Sequence, residues 1–310
     1  MIQTALIYQP RFGPLLAEEL RRREPGLEVR LAVQPEQVAG LIGEADALLT
    51  TSRFPMEALA QARRLRWIQV TAAGVDHFVG SPHLRCGVRL TRLVGTFGPR
   101  MAEYAFAYAL AISQDVVRVL RQQQARRWES FDQWWLLGRT LLLVGVGTIG
   151  RAVGKVGRAF GMRVIGVGRR ARPGQAGGIK AVYPRERLND ALAAAHLIVV
   201  TVPLTAQTRG MFGPVEFATM RDDAVFINMG RGAVVQQDAL VAALQQGRPA
   251  WAVLDVFEQE PLPARHPLWG LPNAIVTPHL AGHTQPHETL EAFFENLRRL
   301  RARGGSYATP

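Results

Sequence analysis

Three reactive side chains, Arg231, Glu260 and His279, each stand just beyond an apolar run that reads as a strand. Ala224–Asn228 leads to Met229-Gly230-Arg231-Gly232, Ala252–Leu254 to Asp255 and on to Glu260-Pro261, and Ala274–Thr277 to Pro278-His279. A guanidinium can grip a carboxylate and its neighbouring carbonyl at two points and polarise the carbonyl. An imidazole can give a proton near neutral pH to an oxygen that is gaining negative charge. A carboxylate beside the imidazole favours its charged form and holds its orientation. Together the three suit the arrival of a hydride at a 2-keto acid. Singly, each has an ordinary structural reading as a turn or a packed histidine.

The hydride source is written in a second motif. Leu141–Val144 is a buried-strand pattern, Gly145-Val146-Gly147-Thr148-Ile149-Gly150 follows directly, and Arg151–Phe160 reads as a helix that Gly161 can cap. In this setting Gly145 permits the tight turn, Gly147 lets a pyrophosphate approach the backbone, and Gly150 allows close helix–strand packing. The free amides at the helix start favour the anion. The next strand, Arg163–Val167, ends in Gly168-Arg169-Arg170 with no carboxylate. An acid there would bond a ribose 2′-hydroxyl, whereas arginine suits a 2′-phosphate. The expectation is NADP(H), with NAD possible; a solvated basic turn is the other reading of Arg169 and Arg170.

The elements that must position these groups alternate strand and helix, the pattern of parallel sheets covered on both faces. A first series has strands near Ala5–Tyr8, Glu28–Ala32, Ala47–Thr50, Trp67–Val70 and Arg89–Thr91, with helical stretches such as Leu15–Arg23 and Met56–Gln61. A second series begins near Thr140 and adds strands at Leu197–Thr201 and the three named above. Pro99–Arg127 predicts one long helix between the series, and Pro286–Arg303 an amphipathic helix that returns to the first. Gly304–Pro310 reads as a frayed tail.

Composition excludes several alternatives. The net charge of +12 is carried almost wholly by scattered arginine, since only Lys155 and Lys180 are lysines. Without a block of like charges, nucleic-acid binding is not expected. The single cysteine, Cys86, precludes an internal disulfide and reads as a small packed residue in a strand-like stretch. There is no signal-peptide pattern or membrane-length apolar run, so a soluble cytoplasmic protein is expected. No ligand spacing predicts a metal. His196 precedes Leu197–Val200 as a residue that leads into a strand.

Carried by Gly145–Gly150, Val202-Pro203-Leu204-Thr205, Asn228–Gly232, Asp255-Val256-Phe257, Glu260-Pro261-Leu262 and Thr277-Pro278-His279, the chain resembles the D-isomer-specific 2-hydroxyacid dehydrogenases. It looks most like their glyoxylate/hydroxypyruvate reductase branch. The resemblance implies an α/β fold of two doubly wound parallel-sheet domains. A Rossmann nucleotide-binding domain, 99–283, would be inserted into a flavodoxin-like catalytic domain, 1–98 plus 284–310. Substrate would sit in a cleft whose closure excludes water. The resemblance further implies that amides of Ala73 and Gly74 meet the substrate carboxylate and that Thr148 and Ile149 offer amides to pyrophosphate. It places Val202, Pro203, Thr208, Met229 and Ala281 along the cofactor groove, puts Asp255 at the nicotinamide amide, and implies a homodimer.

Some residues keep two readings. His283 would touch substrate or face solvent. Trp134 and Trp135 would pack in a core or dimer, or cap the substrate. Arg53 would reach the substrate's distal end or sit in solvent. Two other functions remain open: an NAD-dependent D-2-hydroxyacid dehydrogenase of another substrate, and a dinucleotide-sensing, corepressor-like binding protein.

Overall fold

In the computed structural model, which describes residues 2–170, 172–175 and 178–302, the chain divides into two units. One is Met1–Thr96 with Thr284–Pro310, and the other is Phe97–His283. Gly304–Pro310 lies outside the described residues.

The first unit has five parallel strands: β1 (Thr4–Tyr8), β2 (Glu28–Ala32), β3 (Ala47–Thr50), β4 (Trp67–Val70) and β5 (Arg89–Arg92). Their order is β2-β1-β3-β4-β5, the doubly wound order of flavodoxin-like sheets. β1, β3 and β4 are fully buried, so they read as continuous apolar runs. Helices α1 (Gly13–Arg23) and α2 (Pro35–Ile42) connect β1 to β2 and β2 to β3. Cys86 is exposed, contrary to the packed position expected. Its segment is turn, and β5 begins only at Arg89, so the residue never enters the sheet.

The second unit opens with helix rather than strand. The expected single helix is two, α3 (Gly98–Ser113) and α4 (Val116–Gln124). The break is at Asp115, whose φ of 46° is left-handed and whose carboxylate accepts from the Arg118 amide. A short polar side chain tolerates that conformation and starts a new helix as its N-cap.

Eight strands follow. β6 (Thr140–Val144), β7 (Arg163–Gly168), β9 (Ile179–Pro184), β10 (Leu197–Val200), β11 (Val225–Asn228), β12 (Trp251–Leu254) and β13 (Ala274–Val276) are parallel, and β8 (Arg172–Gln175) runs antiparallel to β9. The order is β13-β12-β11-β10-β6-β7-β9-β8, so the winding reverses between β6 and β10. Helices α5 (Thr148–Ala159), α6 (Leu188–Ala193), α7 (Pro214–Thr219) and α8 (Gln237–Gln245) are spaced among the strands. Gly161, at φ 71°, ends α5 by giving its amide to Arg158, while Met162 bonds back to Gly157.

The last helix, α9 (Pro286–Ala302), belongs to the first unit. Phe293 stacks on Trp67 at 4.8 Å, Asn296 donates to Gln69 at 2.7 Å, and Arg23 pairs with Glu291 at 2.8 Å. Its apolar face completes a core with α1, β1 and β3.

His196, just before β10, accepts the Thr140 amide on Nδ1 at 3.2 Å. Burial, reinforced by the Arg221 charge, pushes its imidazole below the ordinary 6.5. A depressed histidine favours the folded state above pH 6.5 and loses that contribution as the pH falls. The thermal midpoint should fall on going from pH 7 to pH 5. In His196→Asn, whose amide oxygen can still accept, the fall should be smaller by about 2 °C in a calorimetric scan.

Candidate active site

One row of paired residues aligns the ends of six strands. Val167 of β7 pairs with Val144 of β6, Val144 with Val200 of β10, Val200 with Asn228 of β11, Asn228 with Leu254 of β12, and Leu254 with Val276 of β13. Every loop that follows leaves the same edge of the sheet. At ~4.8 Å per strand the row spans about 24 Å. It gathers the Gly145–Gly150 turn, Arg169 and Arg170, Val202 and Pro203, Met229 to Arg231, Asp255 to Glu260, and Thr277 to Ala281.

The glycine turn is built as its sequence implied. Gly145 has φ 106°, and a Cβ on it would stand 2.8 Å from the Thr201 hydroxyl. A Cβ on Gly150 would collide with the Gly145 carbonyl. Gly147 is different, because a Cβ there would meet nothing within 4 Å. The protein's own packing therefore does not require glycine at 147, and the backbone there is open to a close approach. Gly147 is also the N-cap of α5, and the first intrahelical bond runs from Arg151 to it. The amides of Thr148 and Ile149 thus precede the helical ladder, where an anion is favoured. These residues fit a dinucleotide pyrophosphate. Arg169 and Arg170 follow β7 and are exposed. The Thr208 hydroxyl donates to the Pro203 carbonyl at 2.6 Å and folds the loop after β10 on itself. Met229 and Ala281 are buried.

Arg231, Glu260 and His279 come together through short links. A Cβ on Gly232 would collide with the backbone of Phe257 and Glu258, so the Arg231 turn lies directly against the loop after β12. In that loop Glu260 accepts the Phe257 amide on Oε1 at 3.1 Å and meets His279 Nδ1 with Oε2 at 2.8 Å. Asn228, the first residue of the Asn228–Gly232 motif, has a structural role. It is buried, donates to the Arg231 carbonyl at 3.1 Å and accepts the Gly230 amide at 3.1 Å, pinning the turn that carries Arg231.

His279 has φ 52°. For a residue with a bulky side chain this costs on the order of 1 kcal/mol, so its surroundings must hold it there. Asp255, 1% exposed, supplies much of that hold. Its Oδ1 accepts the Thr277 hydroxyl at 2.7 Å and the Leu280 amide at 2.8 Å, and its Oδ2 accepts the Ala281 amide at 3.0 Å. In this structure the carboxylate assigned to the nicotinamide amide is taken up by the chain's own loop. Leu280, Ala281 and the exposed His283 line a cavity of about 450 Å³ with Arg100, Tyr104 and Tyr108.

Ala73 and Gly74 follow β4 in the first unit, where the Ala73 carbonyl accepts from Arg92 at 2.6 Å. Arg53 and Trp135 are exposed, and Trp134 lies under the Arg139 guanidinium at 4.8 Å. Among the described residues, no group of three or more His, Cys, Asp or Glu could hold a metal ion, and no helix is long and apolar enough to cross a membrane.

A doubly wound sheet with a glycine turn opening a helix, and an Arg, Glu and His along the same edge, is the architecture of a nucleotide-dependent oxidoreductase. The chain belongs to the D-isomer specific 2-hydroxyacid dehydrogenases: the family model for their NAD binding domain matches residues 106–281. It is 34% identical to the glyoxylate/hydroxypyruvate reductase A of Serratia proteamaculans, over 96% of this chain and 95% of that one. A D-isomer specific 2-hydroxyacid dehydrogenase family protein from Aeromonas salmonicida superposes with a TM-score of 0.90 at 37% identity, covering 97% of this chain and 96% of that one. Another from Xanthobacter autotrophicus, in complex with NADPH and MES, superposes at 0.87 and 32% identity, with the same coverage. The chain is an NAD(P)-dependent oxidoreductase.

The two glycines should part company on substitution. Gly147→Ala should keep its thermal midpoint within about 2 °C while NADPH binding weakens at least tenfold, as fluorescence titration would read. Gly150→Ala should lose both stability and binding, because its Cβ strikes the Gly145 carbonyl.

Proposed function

We propose that the chain reduces a small 2-keto acid, glyoxylate, hydroxypyruvate or similar, to the D-2-hydroxy acid with NADPH. The observation that carries this reading is the unbroken contact from the Arg231 turn through Phe257 and Glu260 to His279, on the sheet edge that also bears the Gly145–Gly150 turn. When bound, the nicotinamide supplies the hydride. Thr148 and Ile149 would hold the pyrophosphate, and Val202, Pro203, Thr208, Met229 and Ala281 would flank the groove.

Arg231 would grip the substrate carboxylate and polarise the adjoining carbonyl. As that oxygen gains charge, His279 would protonate it. With Nδ1 given to Glu260, the hydrogen on Nε2 of the protonated ring is the one to transfer. Gly168 stands where an acid would be needed for the ribose 2′-hydroxyl, and Arg169 and Arg170 suit a 2′-phosphate. The NADPH in the Xanthobacter structure supports the same choice of dinucleotide, and the Serratia reductase's name supports the choice of keto acid.

A second copy of the chain is the proposed partner, in the cytoplasm. α4 buries none of its residues and leaves Val116, Val117, Val119 and Leu120 exposed, with Trp128 fully so. Sedimentation should give the mass of a dimer, and a monomer at micromolar concentration would defeat this part.

Turnover with a panel of keto acids tests the reaction. NADPH should exceed NADH in kcat/KM by about tenfold or more, and Arg169→Asp should erase most of that margin. Equal or better use of NADH defeats the arginine argument. His279→Ala should lower kcat by about 10²- to 10⁴-fold. Tight dinucleotide binding without turnover of any keto acid would point instead to a sensor.

A further inference from the structure

The loop that carries His279 is clamped on both sides by one carboxylate. Asp255 takes the Thr277 hydroxyl ahead of His279 and the Leu280 and Ala281 amides behind it. The Thr277 hydroxyl has a further neighbour: the Tyr104 hydroxyl, 2.7 Å away and 173 residues distant in sequence. A carboxylate only accepts, so Thr277 spends its one hydrogen on Asp255, and Tyr104 must donate to Thr277. Tyrosine, threonine and carboxylate then form a chain in which each bond polarises the next.

All three groups are buried. Burial, and to a lesser degree the Asp255 charge, pushes the Tyr104 hydroxyl well above its ordinary range, so it keeps the proton it donates. Tyr104 sits on α3, which packs along α5, with Phe106 stacked on Phe160 at 5.3 Å. The donor therefore comes from a packed helix outside the loop it restrains.

We propose that Tyr104 is a positioning residue: its hydroxyl locks Thr277 onto Asp255 and thereby holds His279 in its left-handed setting. The inference rests on the reading of His279 as proton donor. Tyr104 acts through Thr277 and does not itself need to touch substrate.

Tyr104→Phe removes one oxygen and keeps the ring. It should lower kcat roughly tenfold, with KM for keto acid and for NADPH within about twofold, because the loss falls on the proton-transfer geometry and not on binding. Thr277→Val should lower kcat at least as far, and adding Tyr104→Phe to it should cost nothing more, since both cut one chain. Thr277→Ser, which keeps the hydroxyl, should recover most of what Thr277→Val loses. Exchange of the Leu280 and Ala281 amides, followed by NMR in the absence of substrate, should quicken in Tyr104→Phe.

The inference is overturned if kcat of Tyr104→Phe stays within twofold of wild type, if NADPH affinity falls in step with kcat, or if the double variant is additive. His279→Ala, measured alongside, separates the two readings. If it abolishes turnover while Tyr104→Phe does not lower it, only the role of Tyr104 falls. If it leaves turnover intact, the proton-donor reading falls and takes this one with it.

Discussion

The chemistry of the second unit depends on one register. Val167, Val144, Val200, Asn228, Leu254 and Val276 pair side by side, so six strands of very different sequence position stop at a common line. A slip of a single residue in β11 would invert its faces. It would drive the Asn228 amide away from the Arg231 turn and bring Ile227 in its place. Burial on both faces enforces the alignment, because every side chain along β6, β10 and β11 is enclosed.

On that line, two carboxylates divide the work of presenting one imidazole. Glu260 sets the ring, through Nδ1, while its other oxygen ties down its own loop at Phe257. Asp255 sets the backbone beneath the ring through two amides and a hydroxyl. No cation among the described residues forms an ion pair with Asp255. Its charge is met by hydrogen-bond donors alone, which is the way a buried carboxylate is kept without a partner of opposite sign. The close approach of Gly232 to the Phe257 backbone brings the guanidinium turn against the same loop, so the three groups share one support.

Much of this was legible in the sequence, for a physical reason. Parallel strands buried on both faces are written as apolar runs, and reactive residues placed straight after such runs must share an edge. What was not legible depended on contacts between distant parts of the chain. Nothing near Tyr104 marks its hydroxyl, since the residue fits an apolar helical stripe, and its partner lies 173 residues on. The hold of Asp255 on the Thr277 hydroxyl and the Leu280 and Ala281 amides is not legible either, because those groups meet it only once the loop is folded. The division of α3 from α4 turned on a single φ at Asp115, and the exposure of Cys86 on a strand that begins three residues after it. β9 is not marked in the sequence, because the exposed Lys180 interrupts the apolar run that marks its fellows.

The pair of arginines after β7 illustrates a separation of concerns. Both side chains are exposed, and the strand they follow is closed by Gly168, where a Cβ would stand 3.2 Å from Val146 and 3.3 Å from Val182. The fold thus invests its tolerances in the glycine and almost none in its two successors. A change of charge at Arg169 or Arg170 is therefore sterically cheap, whereas any side chain at Gly168 must push Val146 or Val182 aside.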